Sequence, residues 1–424
     1  MRFSGFDDEW IEEKLGNLVQ IKSGECTKNL ITGIDNSIPY FKVEQLNNSL
    51  KYQIKTPYFI NDKSKIVNKG SIIFPKRGAA ILLNKIRILN QDSFMDTNLM
   101  TLTPNNKLYN EFLYYFIYKE NLSKIADTTS IPQLNNKHIK PYPIKLPSFE
   151  EQLKISKFIS SVDKKVSLLS QNLEIFNDFK KGLLQQIFTQ KLRFVDFNNS
   201  SWKDYKFKDL GTVKSGVGFS NKYQGHLDLD YNFYKVSDMN LKGNEKVMTR
   251  SNNTIDDNLL KDIGVKLIEN PSIIFAKVGE AIFLNRKRIA KQPFLIDNNM
   301  MAFSPNENVD LEFMYYLATS INFGKYAQTG ALPSYNASDI YSIKCKIPPI
   351  EEQKRIGKLL SLADNKIDFC SNQLNKTQEF KKGLLQQMFV VRINWRCNFK
   401  LAKSPSFNKH LLILKNKIIF IIIE

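Results

Sequence analysis

Phe179-Lys180-Lys181-Gly182-Leu183-Leu184-Gln185-Gln186 returns letter for letter as Phe380-Lys381-Lys382-Gly383-Leu384-Leu385-Gln386-Gln387, an offset of 201 residues. The chain is a tandem duplication. At the same offset Glu150-Glu151-Gln152 pairs with Glu351-Glu352-Gln353, Ile131-Pro132 with Leu332-Pro333, Asn135 with Asn336, and Glu111-Phe112-Leu113-Tyr114-Tyr115 with Glu312-Phe313-Met314-Tyr315-Tyr316. Further back, Asp96 to Met100 matches Asp297 to Met301, and Ser71-Ile72-Ile73-Phe74 matches Ser272-Ile273-Ile274-Phe275. The offset falls to 193 at Lys42-Val43 and Lys235-Val236, and to 192 at Trp10 and Trp202 and at Lys22-Ser23-Gly24 and Lys214-Ser215-Gly216. The second copy therefore carries an insertion, nearly all of it between Val236 and Ser272. A period near 200 residues is far too long for a solenoid unit, so each copy is a domain with a further element behind it. Two copies of one module at a set separation suit a protein that engages two similar sites at once.

The element behind each module is a long helix. From Ile155 the apolar residues run Ile155, Ile159, Val162, Val166, Leu169, Leu173, Phe176, skip a beat at Lys180 and return at Leu183 and Ile187. That 4-3 alternation is a heptad seam. The second copy repeats it at Ile356, Leu360, Ala363, Ile367, Cys370 and Leu374, with Thr377 weaker and Leu384 and Met388 closing. Ser148 and Glu151 have capping-box spacing, and Pro349 suits a first-turn position. About 39 residues at 1.5 Å each make roughly 58 Å of helix. A seam of this kind cannot bury itself alone. The spacing predicts that the two helices pair as an antiparallel coiled coil, with a module at either end and a pseudo-two-fold internal repeat.

The modules, residues 1–147 and about 200–348, mix short β-type runs (Ser71 to Phe74, Leu99 to Leu102) with turn signals at Lys69-Gly70, Arg77-Gly78 and Pro104-Asn105 and a helical stretch near Glu111 to Tyr118. The fold class expected is α+β. The expected boundaries are a first module at 1–147, a helix at 148–190, a second module at 191–348 whose first residues, 191–201, are a linker, a second helix at 349–389 and an extension at 390–424.

A formal net charge of +19 and a pI of about 9.5 favour a polyanionic partner. Met1-Arg2-Phe3-Ser4-Gly5-Phe6-Asp7-Asp8 turns acidic where a signal peptide becomes apolar, and no apolar run reaches the roughly 18 residues of a membrane span. The expected location is the cytoplasm. Cys26, Cys345, Cys370 and Cys397 are scattered, with only three histidines in the chain, which speaks against a zinc site or disulfide framework and for small apolar fillers.

Catalytic signatures do not emerge. There is no phosphate-loop motif, no H-E-x-x-H and no G-x-S-x-G, and no Asn-Pro-Pro-aromatic or Asp-Pro-Pro-aromatic tetrapeptide of the kind that holds a target base in amino-methyltransferases. Gly216-Val217-Gly218 is a bare G-x-G whose counterpart, Gly24-Glu25-Cys26, lacks the second glycine, so it reads as a turn. Glu12-Glu13-Lys14 has the E-x-K shape of some nucleases, but no Pro-Asp precedes it and the second copy reads Asp204-Tyr205-Lys206.

Two basic α+β modules, each followed by a heptad helix that opens on P-x-x-E-E-Q and closes on F-K-K-G-L-L-Q-Q, resemble the specificity subunit of type I restriction-modification enzymes over residues 10–389. The resemblance implies that each module is a target recognition domain reading one half of a split, asymmetric duplex DNA site, that the helices serve as spacer and docking surface, and that modification (methyltransferase) and restriction (endonuclease/translocase) subunits are the partners. It implies no cofactor on this chain and no catalysis by it, with S-adenosylmethionine, ATP and magnesium on the partner subunits. Half-sites on one face of B-DNA lie roughly 34 Å apart, a gap that a rod of fixed length would measure. A basic two-domain nucleic-acid-binding scaffold outside restriction-modification is the alternative, and a stand-alone nuclease or methyltransferase a further rival.

Basic residues kept in both copies can serve any sequence and are candidates for phosphate contacts: Lys22 and Lys214, Lys42 and Lys235, Lys76 and Lys277, Lys85 and Arg286, Arg87 and Arg288. Residues that differ on the same frame can read bases: Glu44-Gln45 against Ser237-Asp238, Arg77 against Val278, Ala79 against Glu280, Gln133-Leu134 against Ser334-Tyr335, and the longer loop from Lys242 to Lys261. Asn135 and Asn336 fit a turn as well as a contact. In the repeated octapeptide, Leu183, Leu184 and their partners are expected to pack, while the lysines and glutamines face a neighbour. The extension from Val390 to Glu424 departs from the family layout and reads as a read-through or frameshifted, aggregation-prone tail.

Overall fold

The computed structural model describes every residue except 1, 28–29, 33–36, 63, 65, 128–130, 329–331 and 390–424; the expected C-terminal extension and Cys397 lie outside the described residues. The chain divides into two compact units, one holding residues up to Ser170 together with Asn372 to Phe389, the other Gln171–Ser371.

In the first unit a five-stranded sheet runs in the order Val19–Ser23, Leu99–Pro104, Ile72–Pro75, Arg87–Leu89, Tyr52–Gln53, and a three-stranded sheet in the order Phe59–Ile60, Ile38–Phe41, Phe94–Met95. The run Ile72-Ile73-Phe74 is apolar throughout because both sheet faces are covered. Ile72 and Phe74 join the core under helix Asn110–Glu120, whereas Ile73 points the other way, to Phe41, Leu46, Leu89 and Leu99. Strand Ile11–Lys14 pairs antiparallel with Pro143–Leu146, bringing the ends of the module together.

The second unit repeats the plan with a four-stranded sheet (Gly211–Ser215, Met300–Pro305, Ser272–Ala276, Lys287–Ala290) and a three-stranded one (Thr254–Ile255, Tyr231–Tyr234, Phe294–Ile296). Ile273 and Phe275 pack beneath helix Leu311–Ser320, and Ile274 lies on the opposite face. The mixed α+β content matches the expectation. The shared Lys-Ser-Gly has a local cause: a Cβ on Gly24 or Gly216 would sit 1.8 Å from the carbonyl oxygen of Asp96 or Asp297. The longer segment is not simply a loop. Strand Thr254–Ile255 takes the place of Phe59–Ile60, and after it comes helix Asp257–Ile263, which Asp256 caps by accepting from the Leu259 N–H at 2.9 Å and which Gly264 ends at φ 72°. Asn244, fully buried, donates to the Asp238 and Arg250 carbonyls at 2.8 and 2.7 Å.

The long helices span Phe149–Phe188 and Ile350–Met388. The Glu151 N–H reaches Ser148 Oγ at 3.3 Å, one half of the expected capping box, while the Glu151 carboxylate turns to Arg2 and Trp10. Within the first unit Ile155, Ile159 and Val162 share a core with Leu384, Leu385, Met388 and Phe389. Within the second, Leu183 and Ile187 share one with Ile356, Leu359 and Leu360. Leu169 is buried, and Val166, Leu173, Ile367 and Leu374 are half-buried. The beat skipped at Lys180 is filled by an ion pair, Lys180 with Asp364, and its counterpart pairs Lys381 with Asp163 at 2.6 Å. These two lysines are thus committed inside their own units and do not face a neighbour, although Gln185, Gln186 and Gln386 are exposed. Cys370 is buried and Cys345 half-buried, its thiol pushed up to about 12 by burial; Cys26 is exposed and fills no core. Among the described residues no helix is long and apolar enough to cross a membrane, and no group of His, Cys, Asp and Glu could hold a metal ion.

Candidate nucleic-acid interface

Strand Ile72–Pro75 ends in a corner that both units build from the same backbone bonds. The Lys76 N–H donates to the Asn98 carbonyl at 2.8 Å, the Gly78 N–H to Pro132 at 2.9 Å, and the Leu134 N–H returns to the Lys76 carbonyl at 2.9 Å. In the second unit Lys277 donates to Asn299 at 2.8 Å, Gly279 to Pro333 at 2.8 Å and Tyr335 to Lys277 at 3.2 Å. Gly78 and Gly279 stand at φ 77° and 78°, a conformation that a side chain disfavours. The side chains at this shared corner differ. Arg77, exposed, is bridged to Gln133, where Val278 is bridged to Ser334. Next along the chain come Ala79 and Glu280, also exposed.

The first unit's corner carries two adjacent cations, Lys76 and Arg77, whereas the second carries Lys277 with the exposed carboxylate of Glu280. Burial pushes the Lys76 ammonium below the ordinary lysine value, Arg77 adds in the same direction and Asp96 opposes both. An anion placed beside Lys76 and Arg77 would relieve the repulsion between them. Lys85 reaches Asn47, and Arg286 in the equivalent place reaches Asn240.

Other expected contacts are placed differently. Arg87 and Arg288 turn inward: Arg87 donates to the Ile86 and Leu46 carbonyls, both at 2.7 Å, and Arg288 to Lys287 and Met239 at 2.8 and 3.3 Å. Each Nε is buried with no acceptor among the described residues. These guanidiniums tie a strand to a neighbouring turn and are not free for phosphate. Gln45 and Asp238 are buried caps that accept from the Lys42 and Lys235 N–H groups, both at 2.8 Å, and Leu134 and Tyr335 belong to the cores. None of these four side chains faces outward to read a base. Lys42 lies 3.9 Å over the Tyr58 ring, and Lys235 donates to Gln224 at 2.7 Å. Lys22 donates to the Ile66 carbonyl at 2.9 Å, whereas Lys214 is exposed. Asn135 and Asn336 start short helices, with Asn336 accepting from the Asp339 N–H at 3.1 Å.

The P-x-x-E-E-Q motif is a latch between each module and its helix. Glu151 accepts from Arg2 Nε and Nη2 at 3.0 and 2.8 Å and from the Trp10 indole at 3.2 Å. Gln152 accepts from the Tyr109 N–H at 2.8 Å and donates to the Lys107 and Pro147 carbonyls at 3.0 and 3.1 Å. Glu352, with Arg193 and Trp202, and Gln353, with the Asp310 N–H and the Pro348 carbonyl, do the same. The segment 191–201 is therefore no linker: Leu192 and Phe194 pack on the second core, and Asp196 pairs with Arg355 at 2.6 Å. A sequence signal exists, since Arg2-Phe3-x-x-Phe6 recurs as Arg193-Phe194-x-x-Phe197, but its offset of 191 is one short of the tryptophan pair.

A second tie lies deeper. Lys51 Nζ donates to Glu111 and Tyr115 at 2.9 Å each and to Ser160 at 3.2 Å, and Tyr115 donates to Asp163 at 2.6 Å. Lys246 repeats this with Tyr316 at 2.7 Å and Ser361 at 3.1 Å, beside Glu312 and Asp364. Burial first, then the adjacent aspartate, pushes both tyrosine hydroxyls well above the ordinary phenol value. They stay neutral donors.

The profile of the family described as "Type I restriction modification DNA specificity domain" matches the chain twice, over residues 7–175 and 199–379. The chain belongs to that family. This specificity subunit is similar to the type I restriction enzyme MjaVIII specificity subunit of Methanocaldococcus jannaschii, 22% identical over 410 residues that cover 91% of this chain and 93% of that protein. It is also similar to the EcoDI specificity subunit of Escherichia coli, 20% identical over 433 residues covering 92% and 90%. In fold it is similar to the S subunit of a type I restriction-modification system from M. genitalium, with a TM-score of 0.58 at 17% identity over 92% of this chain and 98% of that one. A chain from a structure describing complex assembly and conformational transition of the type I system matches at 0.53 and 12% identity, over 91% and 98%.

Proposed function

We propose that this specificity subunit reads a bipartite, asymmetric duplex DNA site, one half through each module, and brings it to modification and restriction subunits in the cytoplasm. One observation carries the reading: a corner with identical backbone bonding displays Arg77 beside Gln133 in one unit and Val278 beside Ser334 in the other. A conserved frame with exchanged side chains is what two different half-sites demand, since arginine and glutamine can make bidentate contacts to guanine and adenine while the kept Lys76 and Lys277 serve the backbone.

The long helices are the spacer in this reading, an antiparallel coiled coil related by a pseudo-two-fold. The ion pairs Lys180 with Asp364 and Lys381 with Asp163, made by equivalent residues, support it. So does the apolar surface left off the seam at Leu168, Ile175, Phe179, Leu362, Phe369 and Phe380, all exposed, which suits docking of the modification subunits. The chain itself supplies recognition and no chemistry. S-adenosylmethionine, ATP and magnesium act on the partner subunits.

Replacing residues 1–147 by the module of another specificity subunit tests this. Methylome sequencing should show one half of the methylated site changed and the gap and other half kept; change in both halves would refute modular readout.

A further inference from the structure

Each module presents an apolar tip that no core absorbs. In Gly78-Ala79-Ala80-Ile81-Leu82-Leu83-Asn84, Ile81 is buried while Leu82 and Leu83 are 59% and 63% exposed. In Gly279-Glu280-Ala281-Ile282-Phe283-Leu284-Asn285, Ile282 is buried while Phe283 and Leu284 are 60% and 58% exposed.

The backbone of each tip is fastened at both ends. Each starts at a glycine with positive φ and ends at an asparagine with positive φ, Asn84 at 46° and Asn285 at 50°. Between them the Ile81 and Asn84 N–H groups bond back to Gly78 and Ile81 at 3.1 and 3.0 Å, as Ile282 and Asn285 do to Gly279 and Ile282. The asparagine side chains anchor the exit, Asn84 to the Tyr118 carbonyl at 3.0 Å and Asn285 to the Ile321 carbonyl at 3.2 Å and the Phe323 N–H at 3.0 Å. The turn buries its isoleucine and leaves the next two large side chains outside the module. The same turn occurs in both copies, although neighbouring positions have diverged.

Charge identifies the occupant. Lys76 and Arg77 enter the first tip and Lys85 leaves it; Lys277 enters the second and Arg286 leaves it, with the exposed Glu280 between them on the entering side. An apolar pair bracketed by cations complements a partner that is anionic outside and apolar within, which describes stacked base pairs between phosphates. We propose that the two tips are DNA wedges: Leu82-Leu83 and Phe283-Leu284 press into the base stack of their half-sites while the flanking cations hold phosphates on either side. This rests on the half-site reading and adds to it. Unstacking is easiest at pyrimidine–purine steps, so the wedges select for deformable steps at positions that no polar side chain reads.

The test uses the full chain assembled with its modification subunits and a duplex carrying the site mapped by methylome sequencing, with 2-aminopurine placed at one position at a time. The wild-type complex should raise the fluorescence at one step in each half-site, apart from any signal at the methylated base. The double change Leu82→Ala with Leu83→Ala should abolish the rise in the first half only and weaken binding about tenfold; Phe283→Ala with Leu284→Ala should do so in the second half only, and Leu82→Phe should preserve the signal. Wild-type affinity and fluorescence in both double variants would overturn the wedge and leave the half-site reading standing. Loss of the modification subunits on gel filtration, with DNA binding intact, would overturn it in favour of a protein-docking surface. A wild-type complex without preference for the mapped duplex would overturn both readings.

Discussion

Glu352, fully buried, accepts both the Nε–H and the Nη2–H of Arg193, at 3.1 and 2.7 Å, with the Trp202 indole N–H 3.3 Å away. Three donors on one carboxylate fasten the chain entering the second module to the helix leaving it. Glu352→Gln keeps the shape but leaves the Arg193 cation, 13% exposed, without its counter-ion, a change of a kind that costs about 3–5 kcal/mol. Calorimetry of the full chain should show the second unit melting earlier and the first unchanged. An unshifted profile would mean that the latch contributes nothing to stability.

Lys287 is 2% exposed and, among the described residues, donates only to the Asn285 side chain and, at 2.9 Å, the Ile321 carbonyl, with no carboxylate paired to it. Burial pushes its ammonium down to about 7 from 10.5. Between those values the unfolded chain binds a proton that the folded chain does not, so Lys287 opposes folding at neutral pH and its penalty fades as the pH rises toward 10.5. The first repeat has Ile86 at this position, buried in its core. Lys287→Ile should therefore stabilise the second unit by several kcal/mol at pH 7, with the gain shrinking in denaturant titrations toward pH 10. A gain independent of pH would show that the ammonium is not the cause.

Lys76 and Arg87 lie near each other in sequence and do different work. Lys76→Ala should weaken binding to every duplex and lower the slope of log affinity against log salt by about one unit. Arg87→Met should leave that slope unchanged and lower stability, because its guanidinium serves the Ile86 and Leu46 carbonyls. Equal slopes for wild type and Lys76→Ala would take Lys76 out of the phosphate set.

Phe389 is 8% exposed, its ring 5.0 Å from Phe112 and 6.2 Å from Phe116. Phe389→Ala should destabilise the first unit by about 3–5 kcal/mol, measured by urea unfolding. Ending the chain after Phe389 spares that contact and should leave host DNA modification intact; lost modification would show that residues 390–424 act.

The duplication, the α+β class, the heptad seam and the capping serine were legible because each is written in local periodicity or in identity between copies. The skipped beat at Lys180 was also legible, but its reason was not, since Asp364 lies far away in sequence. Arg87 and Arg288 could be seen as kept cations. Their direction could not, because whether a basic residue on a strand faces solvent or a neighbouring carbonyl depends on what covers that face. The same limit turned Gln45, Asp238, Leu134 and Tyr335 from possible readers into caps and core.

Sequence alone determined that two copies of one module and one helix make up this protein, because internal identity and heptad spacing need no third dimension. Only the tertiary structure decided which side chains tie each module to its helix and which stand free. The partners that decide it, Arg193 for Glu352 and Gln133 beside Arg77, meet through packing and backbone pairing between segments that local pattern does not connect.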